Sequence, residues 1–316
     1  MIPSEWLDAA EERLAGKTHR TPLTYDAERG LYLKWENRQK TGSFKARGAL
    51  NKVLTLEDWE REMGLATASA GNHGQGVALA AQMLGCSVRV FVPQGAPMVK
   101  IDAIRALGAE VIVVEGGYHD AEEAGLAYAR RNDVTWVSPY NDGHVVAGQG
   151  TIASEVLQEQ PETAAATWLV PVSGGGLLAG ISSVLRKQAQ DHVRIVGVQV
   201  ATQAYMHGLF YRNTQDDVED LPTLADGLAG AVEDGSVTVP IIRKNADEIL
   251  LVSEDEVAEA IAFAWTEYGE RIEGSGAVGL AAVLSGKVTA QPSVVVISGG
   301  NIQPEIHAEI LARYEK

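Results

Sequence analysis

The sequence predicts an α/β protein of two lobes, each with a largely parallel, twisted sheet flanked by helices. Short apolar runs alternate with helical patterns along almost all of the 316 residues, as βα units of a parallel sheet require. Runs such as Val88-Arg89-Val90-Phe91-Val92 and Val111-Ile112-Val113-Val114 suit strands covered on both faces. Glycine is abundant, at 33 residues, and clusters in loops between a strand and a helix.

A helix opens at Ser4, with Trp6, Ala9, Ala10 and Leu14 along it. Thr21-Pro22-Leu23 is extended, and a strand follows over 31–35. The alternation then runs strand 65–69 with helix 74–84, strand 88–93 with helix 98–107, strand 110–115 with helix 120–131, and strand 134–138. A second series begins near Gly148: helix 151–160, strand 167–172, a glycine loop with a helix to Arg186, and strand 193–200. The polar, irregular stretch 202–220 carries no assignment. Helices 254–268 and 276–284 and strand 293–297 close the series, and no internal repeat is visible. The expected lobes are 1–52 with 143–316 as the larger, and 53–142 as the smaller, inserted one. Ligands of such sheets sit beyond the carboxyl ends of the strands. The loops after Trp35, Ala68, Val172 and Ile297 are therefore the places to look.

Composition removes several function classes. Lys plus Arg is 26 and Asp plus Glu is 42, so the formal net charge is 26 − 42 = −16. No basic cluster is dense enough to neutralise phosphates, which argues against nucleic acid as a partner. At 46% hydrophobic residues without low-complexity blocks, the chain is expected to fold rather than stay disordered. No apolar run reaches the roughly 18 residues a membrane span needs. No basic n-region or apolar h-region opens the chain, so no signal peptide is expected. The lone cysteine, Cys86, precludes an internal disulfide and fits a reducing, cytoplasmic setting.

Four loops carry candidate chemistry. In Thr41-Gly42-Ser43-Phe44-Lys45-Ala46-Arg47-Gly48-Ala49, Ser43 is a candidate N-cap and Lys45 falls in the first helical turn. A cation there opposes the macrodipole at modest cost. Taken alone, Lys45 reads as a solvated surface lysine or as a Schiff-base lysine of depressed pKa. Ser69-Ala70-Gly71-Asn72-His73-Gly74-Gln75-Gly76 joins a strand to a helix. It reads either as a plain helix cap or as a nest of amides for a small carboxylate. Ser173-Gly174-Gly175-Gly176-Leu177 lets backbone approach an anion at a helix start. Gly174, Gly176 and Ala179 fit the dinucleotide fingerprint, but Gln199 stands near the end of the next strand where a ribose-binding acid is needed. A monophosphate suits this loop better. Ser298-Gly299-Gly300-Asn301 follows the last strand, as a sharp turn or as a small hydroxyl at the mouth of the sheet.

Together, and in this order, these segments resemble the pyridoxal-phosphate enzymes of fold type II, the tryptophan synthase β-like fold. Within that group they are most similar to the serine/threonine dehydratases, or ammonia-lyases. Thr18-His19-Arg20-Thr21-Pro22-Leu23 and Ala147-Gly148-Gln149-Gly150-Thr151 belong to the same likeness, which covers nearly the whole chain. The resemblance implies pyridoxal 5'-phosphate as cofactor, with Lys45 forming the internal aldimine and Phe44 packed beside the ring. It implies Asn72 at the ring 3-hydroxyl, Gly174, Gly175, Gly176 and Leu177 around the phosphate, and Ser298 facing the pyridine nitrogen. It implies Ser69, Asn72 and His73 as holders of the substrate carboxylate. The implied reaction is β-elimination from a β-hydroxy L-amino acid such as L-threonine or L-serine, giving a 2-oxo acid and ammonia. A small amino acid is then the substrate, and the family likeness implies a homodimer.

Two departures refine the likeness. Similar serine racemases carry a second serine before the loop glycine as an acid/base, whereas this chain has Ala70. Metal-binding members carry acids at the places that the likeness matches to Gln199 and Tyr205 here, so no metal is expected. The given sequence runs 316 − 301 = 15 residues beyond Asn301, so no C-terminal regulatory domain is expected. Other fold type II chemistries, namely β-replacement, threonine synthase or amino-acid racemase activity, and a nucleotide-dependent oxidoreductase are the competing expectations. His73 directly after Asn72 favours the dehydratase branch, and retention of Lys45 argues against a catalytically silent binding protein.

Overall fold

The computed structural model describes residues 1–189 and 192–314. The chain opens with α1 (Ser4–Leu14), the antiparallel pair β1 (Leu23–Asp26) and β2 (Leu31–Trp35), and α2 (Lys45–Leu54). It then passes through α3 (Asp58–Met63), β3 (Leu65–Ala68), α4 (Asn72–Leu84), β4 (Val88–Pro93), α5 (Met98–Ala106), β5 (Glu110–Val114), α6 (Tyr118–Asn132) and β6 (Thr135–Trp136). It returns through α7 (Gly143–Glu159), β7 (Thr167–Pro171), α8 (Gly176–Gln188), β8 (Arg194–Val200), α9 (Tyr205–Arg212) and α10 (Thr238–Asn245). The last elements are β9 (Glu248–Val252), α11 (Glu254–Tyr268), α12 (Gly274–Leu284), β10 (Ser293–Ile297) and α13 (Pro304–Tyr314).

Two sheets result. The six-stranded sheet has the order β1-β2-β10-β7-β8-β9, parallel except for β1. The four-stranded sheet, β5-β4-β3-β6, is parallel throughout. Every residue of β2, β7 and β10 is buried, as strands covered on both faces should be. Within β7, Trp168 and Val170 join the core under α7 and α8, while Leu169 joins the core under α11 and α12. Side chains alternate along a strand, so one apolar run feeds two cores. Among the described residues no helix is long and apolar enough to cross a membrane.

Several expectations change. β5 is an edge strand bonded only to β4, so Glu110 and Val113 are exposed rather than covered. The helix expected over 151–160 begins at Gly143, because the Asp142 carboxylate accepts the His144 and Val145 amides and caps it. Its early glycines are packing sites: a Cβ on Gly148 would stand 2.8 Å from Gly48 Cα of α2, and one on Gly150 2.9 Å from the Gly180 carbonyl of α8. Backbones that close tolerate no side chain. The unassigned stretch 202–220 contains α9, and β9 was not foreseen.

Candidate active site

β2, β10 and β7 are neighbours and parallel, so their carboxyl ends deliver three of the four loops side by side. The first runs from Trp35 to α2. Ser43 does not cap that helix, contrary to expectation. It is extended and bridges to Gly299, and its buried hydroxyl has no partner, while Phe44 occupies the N-cap position. Pairing across to the last loop holds Ser43 away from cap geometry. The Phe44 amide donates to the Ser298 carbonyl at 3.0 Å, which ties this loop to the end of β10. Lys45 opens α2, and its amine donates to the Pro139 carbonyl at 3.0 Å, 5.2 Å from the Phe44 ring centroid. Lys45 keeps part of its surface accessible, yet its amine is enclosed. Burial lowers its pKa to about 8 against the opposing pull of Glu273.

The loop after β3 faces this lysine from the smaller sheet. A Cβ on Gly76 would stand 3.0 Å from the Lys45 carbonyl, so α4 crosses α2 at Lys45. Ser69 accepts the Gly71 amide at 3.1 Å within the turn that starts α4. His73 is buried, and its Nε2–H donates to the Val137 carbonyl at 2.9 Å. Its Nδ1 is buried without a partner. Burial first, and then the Lys45 charge, hold His73 down at about 3, so the ring is neutral. Asn72 donates to Glu273 Oε1 and accepts from Asn301 Nδ2, both at 2.7 Å.

The third loop leads into α8. Gly175 has φ +91°, the left-handed region that favours glycine, and a Cβ there would stand 2.5 Å from Ile242 Cδ1. A Cβ on Gly174 would overlap the Tyr140 ring, which packs against the loop. Thr238 donates to the Gly174 carbonyl at 2.6 Å. The first-turn amides of α8, from Gly176 and Leu177 onward, have no carbonyl one turn back, and the dipole adds positive potential. Pro139-Tyr140 therefore touches both the lysine amine and the glycine loop. Ser298, buried at the end of β10, donates to the Ser275 carbonyl at 3.3 Å.

Glu273, Asn301, Pro139 and Tyr140 were missed as site residues. Asn301 closes the Ser298-Gly299-Gly300-Asn301 motif, whose pattern assigns no role to its side chain. Glu273 had one signal, an acid set directly before Gly274-Ser275-Gly276. Nothing in the sequence brings Pro139 or Tyr140 to the lysine. Gln199 is buried with its Oε1 on the His207 amide, and Tyr205 is buried. Among the described residues, no three or more His, Cys, Asp or Glu are grouped to hold a metal.

The family described as pyridoxal-phosphate dependent enzyme matches residues 15–299. The chain belongs to this family. An L-threonine ammonia-lyase of Thermotoga maritima is 42% identical over 309 residues, 96% of this chain and 76% of that protein. The processed form of threonine deaminase isoform 2 from Solanum lycopersicum has a similar structure, with TM-score 0.88 and 29% identity over 99% of this chain and 95% of that one. Maize serine racemase is similar at TM-score 0.90 and 27% identity, over 98% of this chain and 97% of that one. The two-sheet architecture is that of these fold type II enzymes.

The residues present fit the cofactor of the family. A buried amine of lowered pKa suits an aldehyde. A glycine-rich helix start with uncommitted amides suits a phosphate. The buried Ser298 hydroxyl can rotate its proton toward a ring nitrogen without supplying a charge.

Proposed function

We propose that this enzyme removes the β-hydroxyl and the amine from a small β-hydroxy L-amino acid, threonine or serine, releasing a 2-oxo acid and ammonia. The observation that carries this reading is the buried Lys45 amine, lowered to about 8, beside a neutral His73 and next to a glycine-lined helix start. The similarity to a threonine ammonia-lyase and a threonine deaminase supports it. Lys45 would hold the cofactor through its amine, and that amine, when free, is placed to accept the α-proton of the substrate. Gly174, Gly175, Gly176 and Leu177 would hold the phosphate, Phe44 would lie beside the ring, Asn72 would meet the ring hydroxyl and Ser298 the ring nitrogen. Ser69, Asn72 and His73 would hold the substrate carboxylate, His73 through its backbone N–H in the first turn of α4, because the one N–H of its neutral ring is already on the Val137 carbonyl. The bound cofactor supplies an electron sink for the carbanion. The lobes are 1–52 with 143–316 and 53–142, a division supported by β3 to β6 all lying inside the second range.

The test is 2-oxo-acid release across a panel of β-hydroxy amino acids, with Lys45→Ala beside the wild type. The variant should fall about a thousandfold or more, within the range general-base catalysis commands. Borohydride reduction of the wild-type holoenzyme followed by peptide mapping should find the cofactor on Lys45. Turnover retained in Lys45→Ala would remove the assignment. Racemisation is the second reading, favoured by the likeness to maize serine racemase. Ala70 offers no proton donor, so D-serine should form far more slowly than pyruvate from L-serine by chiral chromatography.

A further inference from the structure

We propose that Glu273 is a positioning residue for the cofactor, acting through Asn72: with Asn301 it fixes which end of the Asn72 amide is donor and which is acceptor. The inference deepens the proposed function, because it rests on Asn72 meeting the ring hydroxyl. A closed ring of hydrogen bonds carries it. Glu273 Oε1 accepts from Asn72 Nδ2 at 2.7 Å, and Glu273 Oε2 accepts the Asn301 amide at 3.0 Å. Asn301 Nδ2 donates to Asn72 Oδ1 at 2.7 Å and to the Thr41 carbonyl at 2.7 Å. Turning the Asn72 amide over would set its oxygen against a carboxylate and its nitrogen against another donor. The ring thus admits one orientation and leaves Asn72 one uncommitted N–H to offer a phenolic oxygen.

The neighbouring backbone is shaped around two of these side chains, Glu273 and Asn301. A Cβ on Gly299 would overlap Glu273 Oε1, and one on Gly42 would stand 2.5 Å from Asn301 Oδ1. Glu273 is itself buried. Burial first, and then the Asp226 charge, push its pKa up to about 7, while Asn72, Asn301 and Lys100 pull it down. Lys45 faces it from α2, Lys100 from α5 and Asp226 from the turn over Asp226–Leu228. The ring needs the carboxylate form, since both oxygens accept, so it holds above that pH and loosens below it.

The test uses apoenzyme titrated with pyridoxal phosphate, together with the pH dependence of the bound cofactor's visible spectrum. Glu273→Gln keeps the shape but sets its NH2 against one of the two donors. It should weaken cofactor binding about tenfold, the scale of one charge-assisted hydrogen bond, and displace the spectral midpoint. In an Asn72→Ala background the same change should add less than about twofold, because the effect passes through Asn72. Asn301→Asp reverses the ring from its other side and should repeat the result, which keeps the test open if Glu273→Gln does not fold. Wild-type affinity and spectrum in Asn72→Ala would overturn both the Asn72 role and this inference. An effect in Asn72→Ala with none in Glu273→Gln, or full additivity, would overturn this inference alone. Loss of thermal stability with an unmoved spectral midpoint would make Glu273 merely structural and overturn it too.

Discussion

His73 and Lys45 are both set by the cost of burying charge, with opposite consequences across the pH scale. His73 sits at about 3 in the folded chain against an ordinary 6.5. Between those values the unfolded chain binds a proton that the folded chain refuses, so this residue makes stability rise with pH there and fall on acidification. Denaturant unfolding of wild type and His73→Gln across that window should show the steeper acid loss in the wild type. Nitrogen NMR should find the ring neutral and Nε2-protonated across about pH 5–8. Lys45 at about 8 carries the nucleophile. Covalent uptake of pyridoxal phosphate by the apoenzyme should therefore accelerate with pH through about 8. A midpoint near the ordinary 10.5 would show that the amine is not enclosed.

α8 shows how an element serves the site. The glycines at its start pack against Tyr140 and turn the chain through a left-handed residue, next to the Pro139 carbonyl that holds the Lys45 amine. Gly175→Ala adds a strained φ and a contact with Ile242, which should cost about 1–3 kcal/mol in chemical denaturation and weaken cofactor binding in titration. Unchanged affinity would mean the loop does not hold the phosphate. α7 illustrates the reverse case, an element begun early by a cap. Asp142 starts it, and its glycines let α2 and α8 close against it. The motif Ala147-Gly148-Gln149-Gly150-Thr151 was legible as a likeness, but its packing role needed two partner helices.

The whole molecule is braced under Lys45 by a buried ion network. Arg47, two residues on from Lys45, pairs with Glu36 at 2.8 Å and with Glu155 at 2.6 Å. Lys34, buried in β2, pairs with the same Glu155 at 2.7 Å and donates to the Thr21 carbonyl. Two cations meet two carboxylates, so α2, α7 and β2 are joined without net charge. Removing one partner leaves buried charge uncompensated, and Arg47→Met should cost about 3–5 kcal/mol of stability by denaturant unfolding. A loss below about 1 kcal/mol would show that the network is solvated. Between the two sheets, the Asn72 ring, the Lys100–Asp226 pair and the Asn141–Glu233 hydrogen bond join the smaller unit to the larger. The cofactor loops therefore depend on contacts far apart in sequence.

The sequence by itself determined the fold class, the family likeness and the four loops, because these depend on local pattern: apolar period, glycine clusters and residue order. Leu31–Trp35, Thr167–Pro171 and Ser293–Ile297 were legible since fully buried strands read as short apolar runs. β9 and α9 were not, because Glu248–Val252 is a short, partly exposed edge strand that opens on an acid, and α9 is a short helix in a polar stretch. Tertiary structure alone decided that Ser43 pairs with Gly299 instead of capping α2. It alone brought Pro139 to the Lys45 amine and Glu273 to Asn72, residues 94 and 201 positions apart. The physical reason is range. Propensity and period act over one or two turns, whereas the charge state of Lys45, His73 and Glu273 is set by what the whole fold packs around them.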